Sequence, residues 1–328
     1  MTSTYVVVTV AFHLLFSITG TVGNGVLIIA FICQRNIRTA SNYFNLATFV
    51  SGLVLSGVGY PLQGLVNTFA IKKNPECIII VCFNLTCGLL LTLNCLALTV
   101  ERYISICHPL NSLTLLTPRR VKIALGSVLL YVMIIGVVIP LATPIGNKGT
   151  YNESLRCRLH LIVPKYYGAF LIINLISPIP AMLIIYSRIF FVLRRHIRAI
   201  SSLQSIQLSP VIGGHHVDLA TLSMERKRWK KELKSALFLL ILIVSFVVCW
   251  LPWVIMFLGK TFTHKVNLVT FSIVQGLVYV TSTVNPYLYG LCNKAFRLAV
   301  IQTFCPAGLP CMKPVDQPIR TLNTACSS

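Results

Sequence analysis

The chain contains very few acidic residues. Its 328 residues include 7 Asp and Glu against 28 Lys and Arg, and only 11% of all residues are charged. No carboxylate falls in any of its seven long uncharged runs, and His13 is the one histidine in those runs. Because proton and ion pumps need titratable groups along their path through a membrane, this shortage argues against a seven-helix transporter or pump.

The uncharged runs are long and apolar. Hydrophobic residues make up 55% of the chain, and its mean hydropathy of +0.80 is far above that of soluble domains. Each run holds 22 to 30 residues, enough for an α-helix to cross about 30 Å of hydrocarbon. We therefore predict an all-α membrane protein, a bundle of seven transmembrane helices, with its first to seventh spans at residues 6–33, 42–71, 77–100, 123–147, 166–187, 235–259 and 266–293.

The basic residues predict the orientation of these spans. With the amino terminus outside the cell, 20 of the basic residues fall in cytoplasmic segments and the other 8 fall outside. Basic residues near helix ends stay in the cytoplasm. We expect a plasma-membrane protein with residues 1–5 outside, a seven-span domain over 6–293 and a tail over 305–328 inside. Because orientation accounts for the net charge of +21, nucleic acid is not predicted as a partner.

An ionic pair closes the third span. Its uncharged run stops at Glu101-Arg102-Tyr103, and ionisable groups at the edge of the lipid need a partner. Arg102 can pair with Glu101 and, across a gap, with Glu232 at the foot of the sixth span. A buried pair adds little net stability, but losing one partner is costly. We therefore predict that Arg102 is part of a latch, and that a resting form keeps it on Glu232.

Prolines interrupt the sixth and seventh spans. Pro252 removes a backbone hydrogen bond and kinks the sixth span close to Trp250, so the segment below can swing. Pro286 weakens the seventh span in the same way, leaving polar groups near it to be satisfied by water or by a neighbour such as Asn24. A lone proline is often only a tolerated kink. Two of them, each beside polar or aromatic residues, favour hinges.

In order along the chain, these motifs resemble those of the rhodopsin-like (class A) G-protein-coupled receptors. The set covers almost the whole length: Gly23-Asn24, Asn42-Tyr43-Phe44, Cys77, Glu101-Arg102-Tyr103, Pro178 with Tyr186, Cys249-Trp250-Leu251-Pro252, and Asn285-Pro286 with Tyr289. The inner ends of the fifth and sixth spans are similar to those of adenosine and trace-amine receptors. That likeness concerns coupling rather than the ligand.

The resemblance implies a receptor and not an enzyme, without a cofactor or bound metal. A ligand outside would bias an equilibrium between two helix arrangements, and activation would swing the sixth span outward. The family brings two tyrosines together in the active state, and Tyr186 and Tyr289 match them. The carboxy-terminal helix of a Gα subunit would then dock in a cleft lined by Arg102, by this tyrosine pair and by basic residues near Lys231.

The sequence also departs from the family pattern. Where the family has an aspartate in the second span, this chain has Gly52. The sodium site that the aspartate supports is therefore expected to be lost or much weakened. The seventh span has no lysine for a retinal Schiff base, and Tyr279 occupies the position that opsins use. Light sensing is therefore not expected.

The resemblance places a ligand pocket between the third, fifth, sixth and seventh spans. Helical spacing gives its predicted walls: Asn84, Leu85, Gly88, Phe170, Asn174, Trp250, Trp253, Val254, Phe257, Gln275 and Tyr279. This pocket is aromatic and neutral. Amine receptors have a carboxylate where this chain has Asn84, so amines are disfavoured, although an aromatic cage can hold a cation. A small neutral, anionic or lipid-like agonist is predicted.

Several residues outside the spans predict covalent features. Cys77 and Cys157 both face the oxidising side and are expected to form a disulfide, and Asn152 begins a glycosylation sequon in the same outer loop. Residues 294–304 fit a short amphipathic eighth helix on the inner membrane surface, where lipid is its partner. Cys305 and Cys311 follow it as candidate palmitoylation sites. Residues 199–225 are predicted to form a long, mobile inner loop.

A second function is compatible with the sequence. With Gly52 in place of the aspartate, the chain can also be a ligand-independent, constitutively active or scaffold-like seven-helix receptor. Basal signalling, measured with and without Arg102, separates these alternatives from a silent protein.

Overall fold

The structure is a computed structural model that describes residues 3–68, 74–139, 165–207, 219–263 and 268–305. Every described segment is built from helices, and no strand occurs within these ranges. The helices lie at Ser3–Cys33, Arg35–Ile37, Ala40–Val54, Leu55–Gly59, Tyr60–Asn67, Asn74–Cys107, Pro109–Leu115, Pro118–Met133, Ile134–Val138, Lys165–Ile176, Pro178–Gln207, Leu219–Thr263, Leu268–Cys292 and Lys294–Phe304.

These helices form a seven-helix bundle. The first span packs on the second and seventh, the third on the second, fourth and fifth, and the sixth on the fifth and seventh. Six described helices are long and apolar enough to cross a membrane, and the seventh-span helix, Leu268–Cys292, has 25 residues. The predicted fold class, an all-α bundle with a short eighth helix, is confirmed.

Two spans are continuous but not purely α-helical. The second span passes through a π-helical segment, Leu55–Gly59, before Pro61, and the fourth span has one at Ile134–Val138. Such segments add a residue to one turn and are frequent at functional sites. In the second span, the segment brings Gly59 against the Asn84 side chain of the third span.

Polar side chains cap the helices at the inner surface. Thr39 accepts from the backbone N–H of Asn42 at the start of the second span, and Thr117 does the same for Arg120 at the start of the fourth. Asn293 breaks the chain after the seventh span and accepts from the N–H groups of Ala295 and Phe296. Since free N–H groups at a helix start need acceptors, this cap begins the eighth helix at residue 294.

The inner ends of the fifth and sixth spans are longer than predicted. Their helices continue to Gln207 and begin at Leu219, so much of the loop predicted over 199–225 is helical. The prediction was wrong for these residues because it used the Ser, Gly and His content of the whole stretch. Helices already anchored in a bundle extend into water without needing an apolar face of their own. His196 stacks on Trp229 and joins the two extensions at a ring distance of 4.2 Å.

Small residues let the first span approach its neighbours closely. A Cβ atom at Gly20 would lie 2.7 Å from Ser56 Cβ, and one at Gly23 would lie 2.9 Å from Pro286 Cγ and 3.1 Å from the Tyr287 ring. Helices in lipid associate mainly through such close packing, because lipid supplies no hydrophobic force between them. The first span is therefore held in the bundle by close packing of its backbone against the second and seventh spans.

Substituting Gly23 with Ala should lower the thermal stability of the purified receptor. The added methyl group overpacks the contact with Pro286, at a cost of about 1–3 kcal/mol. Gly25→Ala is the matched control, because a Cβ there meets nothing within 4 Å. Thermal unfolding in detergent should give a lower midpoint for Gly23→Ala than for Gly25→Ala. Equal midpoints would contradict the close contact.

Candidate functional site

Glu101 and Arg102 lie near the inner end of the third-span helix. Glu101 is only 1% exposed, and its Oε1 accepts from Ser41 Oγ at 2.5 Å and Ser105 Oγ at 2.9 Å. Its Oε2 lies 3.4 Å from Nε of Arg102, whose side chain is 23% exposed. Two hydroxyl donors on Oε1 and the guanidinium charge beside Oε2 therefore offset the burial of this carboxylate, although Oε2 has no hydrogen-bond partner.

The structure does not bring Arg102 to Glu232. Within the described residues, the ion pair of Arg102 is with Glu101, while Glu232 lies half-buried on the sixth span. The Lys231 side chain is outside the described residues. This conformation therefore lacks the pair between the third and sixth spans, and the pair stays a prediction for another conformation of the receptor.

The two tyrosines predicted to meet lie in separate clusters. Tyr186 packs with Ile106, Ile243 and neighbouring apolar residues of the third, fifth and sixth spans, and its buried hydroxyl has no hydrogen-bond partner. Tyr289 lies edge-on to Phe49 at 5.2 Å and packs against the eighth helix. The two tyrosines thus belong to different clusters in this conformation.

Tyr103 also lies in the Tyr186 cluster. Its ring meets that of His108 edge-on, with 5.5 Å between the centroids, where the third span ends. This contact places Tyr103 between the span and the short inner helix that follows, Pro109–Leu115.

Aromatic rings form a column along the sixth span beside Pro252. Trp250 stacks on Phe246 at 5.2 Å and meets Trp253 edge-on at 6.1 Å, and Trp253 stacks on Phe257 at 5.4 Å. Trp250 fits only because residue 88 is glycine, since a Cβ there would lie 2.8 Å from the indole ring. The buried indole N–H has no hydrogen-bond partner.

Most of the predicted pocket walls on the third and sixth spans come together. Leu85, Trp250, Trp253, Val254 and Phe257 belong to one apolar cluster. The fifth span contributes Leu171, Ile172 and Leu175 to it, and the fourth contributes Val132 and Ile135. These side chains therefore pack together beside Trp250.

The predicted fifth-span residues do not join this cluster. Phe170 is 41% exposed. Asn174 accepts from Tyr131 Oη at 2.5 Å on the outer surface and donates to the Phe170 carbonyl at 2.9 Å. Because Leu171 and Leu175 carry the inward stripe of this helix, residues 170 and 174 lie on the adjoining stripe. In this conformation they are therefore not among the side chains that pack with Trp250.

Tyr279 and Asn84 contact residues of the first and second spans. The Tyr279 ring lies 4.2 Å from Tyr60 and 5.3 Å from His13. Asn84 donates to Gln63 Oε1 at 3.3 Å and to the Ile80 carbonyl at 3.0 Å. Gln275 lies half-buried one turn before Tyr279 on the seventh span.

Sequence reasoning missed Tyr60, Gln63 and Asn67 of the second span. Gln63 and Asn67 are four residues apart, so they share one helix face in an otherwise apolar segment. That spacing was the available signal. His13 was noticed only as a lone titratable group.

Asn24 takes the place of two groups that are absent at the centre of the bundle, the aspartate side chain at Gly52 and the backbone N–H at Pro286. A Cβ at Gly52 would lie 2.7 Å from Asn24 Oδ1, so the Asn24 amide fills the space of the absent aspartate. Its Nδ2 donates to the carbonyls of Gly20 at 2.8 Å and Ser282 at 3.2 Å. Pro286 has no N–H to bond the Ser282 carbonyl, four residues earlier, so Asn24 satisfies the acceptor that the proline leaves free.

Neutral groups complete this central layer. Asn94 donates to Ser51 Oγ at 3.3 Å, and Ser56 donates to the Gly52 carbonyl at 2.7 Å. Asn285 lies half-buried beside the buried Pro286. None of these groups is a carboxylate, and cations such as sodium are bound by oxygen sites that usually include one. The layer therefore lacks the charge that a cation site in this position would need.

Four residues predicted to carry covalent features cannot be compared with the structure. Cys157, Asn152 and Cys311 lie outside the described residues, and so does the side chain of Cys77, although its backbone belongs to the third-span helix. Cys305 follows directly after the eighth helix and is half-buried.

Comparisons with known proteins agree with this geometry. A family model described as 7 transmembrane receptor (rhodopsin family) matches residues 23–289. The histamine H2 receptor of Cavia porcellus is 26% identical over 313 residues, 91% of this chain and 80% of that receptor. The alpha-1A adrenergic receptor of Oryzias latipes is 25% identical over 304 residues, 87% and 64% of the two chains.

A third relative is similar at the same level. The 5-hydroxytryptamine receptor 6 of Mus musculus is 26% identical over 292 residues, 84% of this chain and 66% of that receptor. The chain thus spans just under two thirds of the length of this receptor and of the adrenergic receptor.

Sodium should not stabilise this protein. Replacing NaCl by choline chloride at constant ionic strength should leave the midpoint of thermal unfolding unchanged, because the central layer is neutral. Restoring the aspartate by Gly52→Asp should lower the midpoint, since its Cβ would meet Asn24. Gly52→Ala is the control that adds the same Cβ without charge. A sodium-dependent rise in the wild-type midpoint would contradict the neutral layer.

Proposed function

The chain belongs to the rhodopsin family of seven-transmembrane receptors, and from this premise we propose that it is a G-protein-coupled receptor for a small molecule. The observation that carries the proposal is the buried Glu101–Arg102 pair at the inner end of the third span. Two hydroxyls hold the Glu101 carboxylate, whereas Arg102 is held by that carboxylate and is 23% exposed, so Arg102 can exchange its partner when the helices move.

The proposed switch is the inner half of the sixth span. Pro252 interrupts the backbone hydrogen bonds of a 45-residue helix, so the half below it can tilt while Trp253 and Phe257 above it stay stacked. Tilting would separate Ile243 and Ala236 from Tyr186. The cleft formed in this way, next to Arg102 and the basic residues near Lys231, is where a Gα carboxy-terminal helix would dock.

The separation of Tyr186 from Tyr289 supports a two-state account. The unpartnered Tyr186 hydroxyl is a polar group buried among apolar side chains, which costs about 1–3 kcal/mol. A second arrangement that gives it a partner recovers this cost. The equilibrium between two arrangements a few kcal/mol apart is what a ligand can bias.

The proposed ligand site lies on the outer side of Trp250. Its walls are aromatic and apolar, with Asn84 as a neutral polar group, so a small neutral, anionic or lipid-like agonist fits their chemistry. The relatives favour a second ligand class, since two of them are named for histamine and 5-hydroxytryptamine. A protonated amine would have to be held here by rings and amide oxygens instead of a carboxylate.

We place the receptor in the plasma membrane with its amino terminus outside. The basic residues of the fifth-span, sixth-span and eighth helices would then lie at the cytoplasmic leaflet, where anionic lipids attract them. Family membership favours a signalling receptor over a transporter or pump, and an enzymatic activity is not proposed.

Removing Arg102 should abolish signalling. We expect Arg102→Ala to reduce nucleotide exchange on a Gα subunit at least about tenfold, because a buried charged contact to the partner is worth about 1.5–3 kcal/mol. The assay is GTP-analogue binding with purified heterotrimer and receptor in nanodiscs, both without ligand and with a panel of amines, nucleosides, lipids and peptides. Glu101→Gln, which keeps the hydroxyl contacts but frees Arg102, should raise basal exchange. Equal exchange by wild type and Arg102→Ala would refute the switch.

The pocket can be tested with two phenylalanines. Once the panel yields an agonist, Phe257→Leu should weaken its potency by about tenfold or more, because a buried aromatic anchor is lost. Phe170→Leu is the matched control and should change potency little, since Phe170 faces outward from the bundle. A saturable response to a biogenic amine that is lost on Asn84→Ala would favour the amine class. A larger loss of potency in Phe170→Leu than in Phe257→Leu would indicate that the ligand binds at the outer surface of the bundle.

A further inference from the structure

Four polar side chains form a continuous hydrogen-bonded chain across the outer halves of three spans. His13 Nδ1 lies 2.7 Å from the Thr9 carbonyl, and His13 Nε2 lies 3.3 Å from Asn67 Nδ2. Gln63 Nε2 donates to Asn67 Oδ1 at 3.1 Å, and Asn84 Nδ2 donates to Gln63 Oε1 at 3.3 Å. The chain therefore runs from the first span, through the second, to the predicted ligand site on the third.

Every hydrogen bond in this series of side chains donates in the same direction, from Asn84 toward Thr9. A carbonyl oxygen can only accept, so His13 Nδ1 must carry the proton that bonds Thr9, and a neutral ring then leaves Nε2 as an acceptor. Asn67 must use its N–H₂ group toward that acceptor, which turns its oxygen toward Gln63. The same logic sets the orientation of Gln63. The tautomer of one buried histidine thus fixes the orientation of three amides.

The hydrogen-bond series leaves Asn84 able only to accept a further hydrogen bond. Its Nδ2 has two hydrogens, and both are used, by Gln63 and by the Ile80 carbonyl at 3.0 Å. Its Oδ1 is buried beside Gly59 and has no hydrogen-bond partner. A buried acceptor without a donor carries a free-energy penalty that a suitable ligand group removes.

We propose that His13 is a positioning residue for the ligand site, and that it orients Asn84 through Asn67 and Gln63 to accept a hydrogen bond from the ligand. This inference rests on the proposed receptor function. It names the ligand class as one that presents an N–H or O–H donor to the third span, such as an ammonium, amide or hydroxyl group. A molecule with only acceptors at that place would meet an unmatched oxygen.

Protonation of His13 would reverse the chain. Both ring nitrogens of the cation donate, so Asn67 would have to turn its oxygen to Nε2 and its N–H₂ to Gln63. Gln63 would in turn offer its N–H₂ to Asn84 Oδ1 and fill the free acceptor. The donor-selective state therefore exists above the pKa of His13 and is lost as the pH falls through it.

The surroundings of His13 contain few groups that compete with this effect. The seventh span presents the Tyr279 ring, which also packs on Tyr60. The second span presents Gly64 and Asn67, and the first span presents Phe12 and the Thr9 carbonyl. Within the described part of the chain, no ion pair involves His13. Among the described residues, Tyr279 is the titratable group in ring contact with His13.

The tautomer can be measured on the full-length receptor in phosphatidylcholine nanodiscs. In protein labelled with ¹⁵N-histidine, the signals that disappear in His13→Asn belong to His13. We expect a protonated Nδ1 and an acceptor-type Nε2 at neutral pH. Labelled asparagine gives the Asn84 amide, which Asn84→Ala identifies. On titration from about pH 8 to about pH 5, where histidine changes charge, the Asn84 signal should shift with the midpoint of His13.

Two variants distinguish orientation through the hydrogen-bond series from a general effect of mutation on the structure. Gln63→Met interrupts it in the middle, so His13 should still titrate while the Asn84 signal no longer follows. His108→Gln is the control, because His108 lies exposed at the inner surface and should leave both titrations unchanged. A neutral ring protonated at Nε2 would overturn the proposal. An Asn84 signal that does not shift with the titration of His13 in the wild type, or that still shifts with it in Gln63→Met, would also overturn the proposal.

Small probes test the ligand class on the same samples. 2-Phenylethylamine and 2-phenylethanol carry donors, and the methyl ether of 2-phenylethanol carries only an acceptor. The two donors should shift the Asn84 signal at millimolar concentration, and the ether should not. An equal shift by all three, or none by the donors, would refute the assignment. Nucleotide exchange on these preparations reports on the proposed function separately, since its absence in every variant would refute the receptor role and leave the spectra unaffected.

Discussion

The structure depends on one constraint: inside a membrane, every backbone polar group needs a partner from the protein. Helices satisfy it within each span, and prolines break it at defined places. Pro286 leaves the Ser282 carbonyl without its donor, and the Asn24 amide of the first span supplies one. A kink in the seventh span is thereby tied to a side chain of another span. The close approach at Gly23 makes the contact possible, because it brings the first span against Pro286.

The same constraint explains how a chain with so few carboxylates builds a polar interior. Amides and hydroxyls can be buried at lower cost than charges, and here they form two neutral networks, one around Asn24 and one from His13 to Asn84. Glu101 is the buried exception. It lies at the inner end of its span, where Ser41, Ser105 and Arg102 surround it. The charge in the bundle is therefore concentrated where the cytoplasmic partner would dock.

Much of the fold could be predicted from the sequence because long uncharged runs have few alternatives to membrane helices. The seven spans and the Asn293 cap are local properties. The contacts of single side chains are not, since they depend on how each helix is rotated about its axis. Phe170 and Asn174 lie one helical position away from the stripe of Leu171 and Leu175, and the apolar faces of that span gave no sign of which stripe packs inward.

Other parts of the site could not be predicted for a different reason. The structure pairs Arg102 with Glu101, and the predicted pair with Glu232 would need a different packing of the sixth span, which the sequence does not specify. Gly52 shows the opposite case. The sequence revealed a missing aspartate, but only the structure revealed that Asn24 fills its space. A side chain that is missing from the sequence does not indicate which other residue fills its space in the fold.

The two neutral networks meet on the seventh span, and this meeting gives a route from the ligand site to the switch. Tyr60 Oη donates to the Tyr279 carbonyl at 3.0 Å and is bonded to Ser282 Oγ, while Asn24 is bonded to the Ser282 carbonyl. Tyr279 packs on His13 above this point, and Pro286 follows one turn below. A ligand that moves Tyr279 must therefore disturb the bonds that compensate for the proline. Because Tyr60 and Asn24 hold the same residue from opposite sides, their coupling free energy in a double-mutant cycle should exceed that of pairs that share no partner.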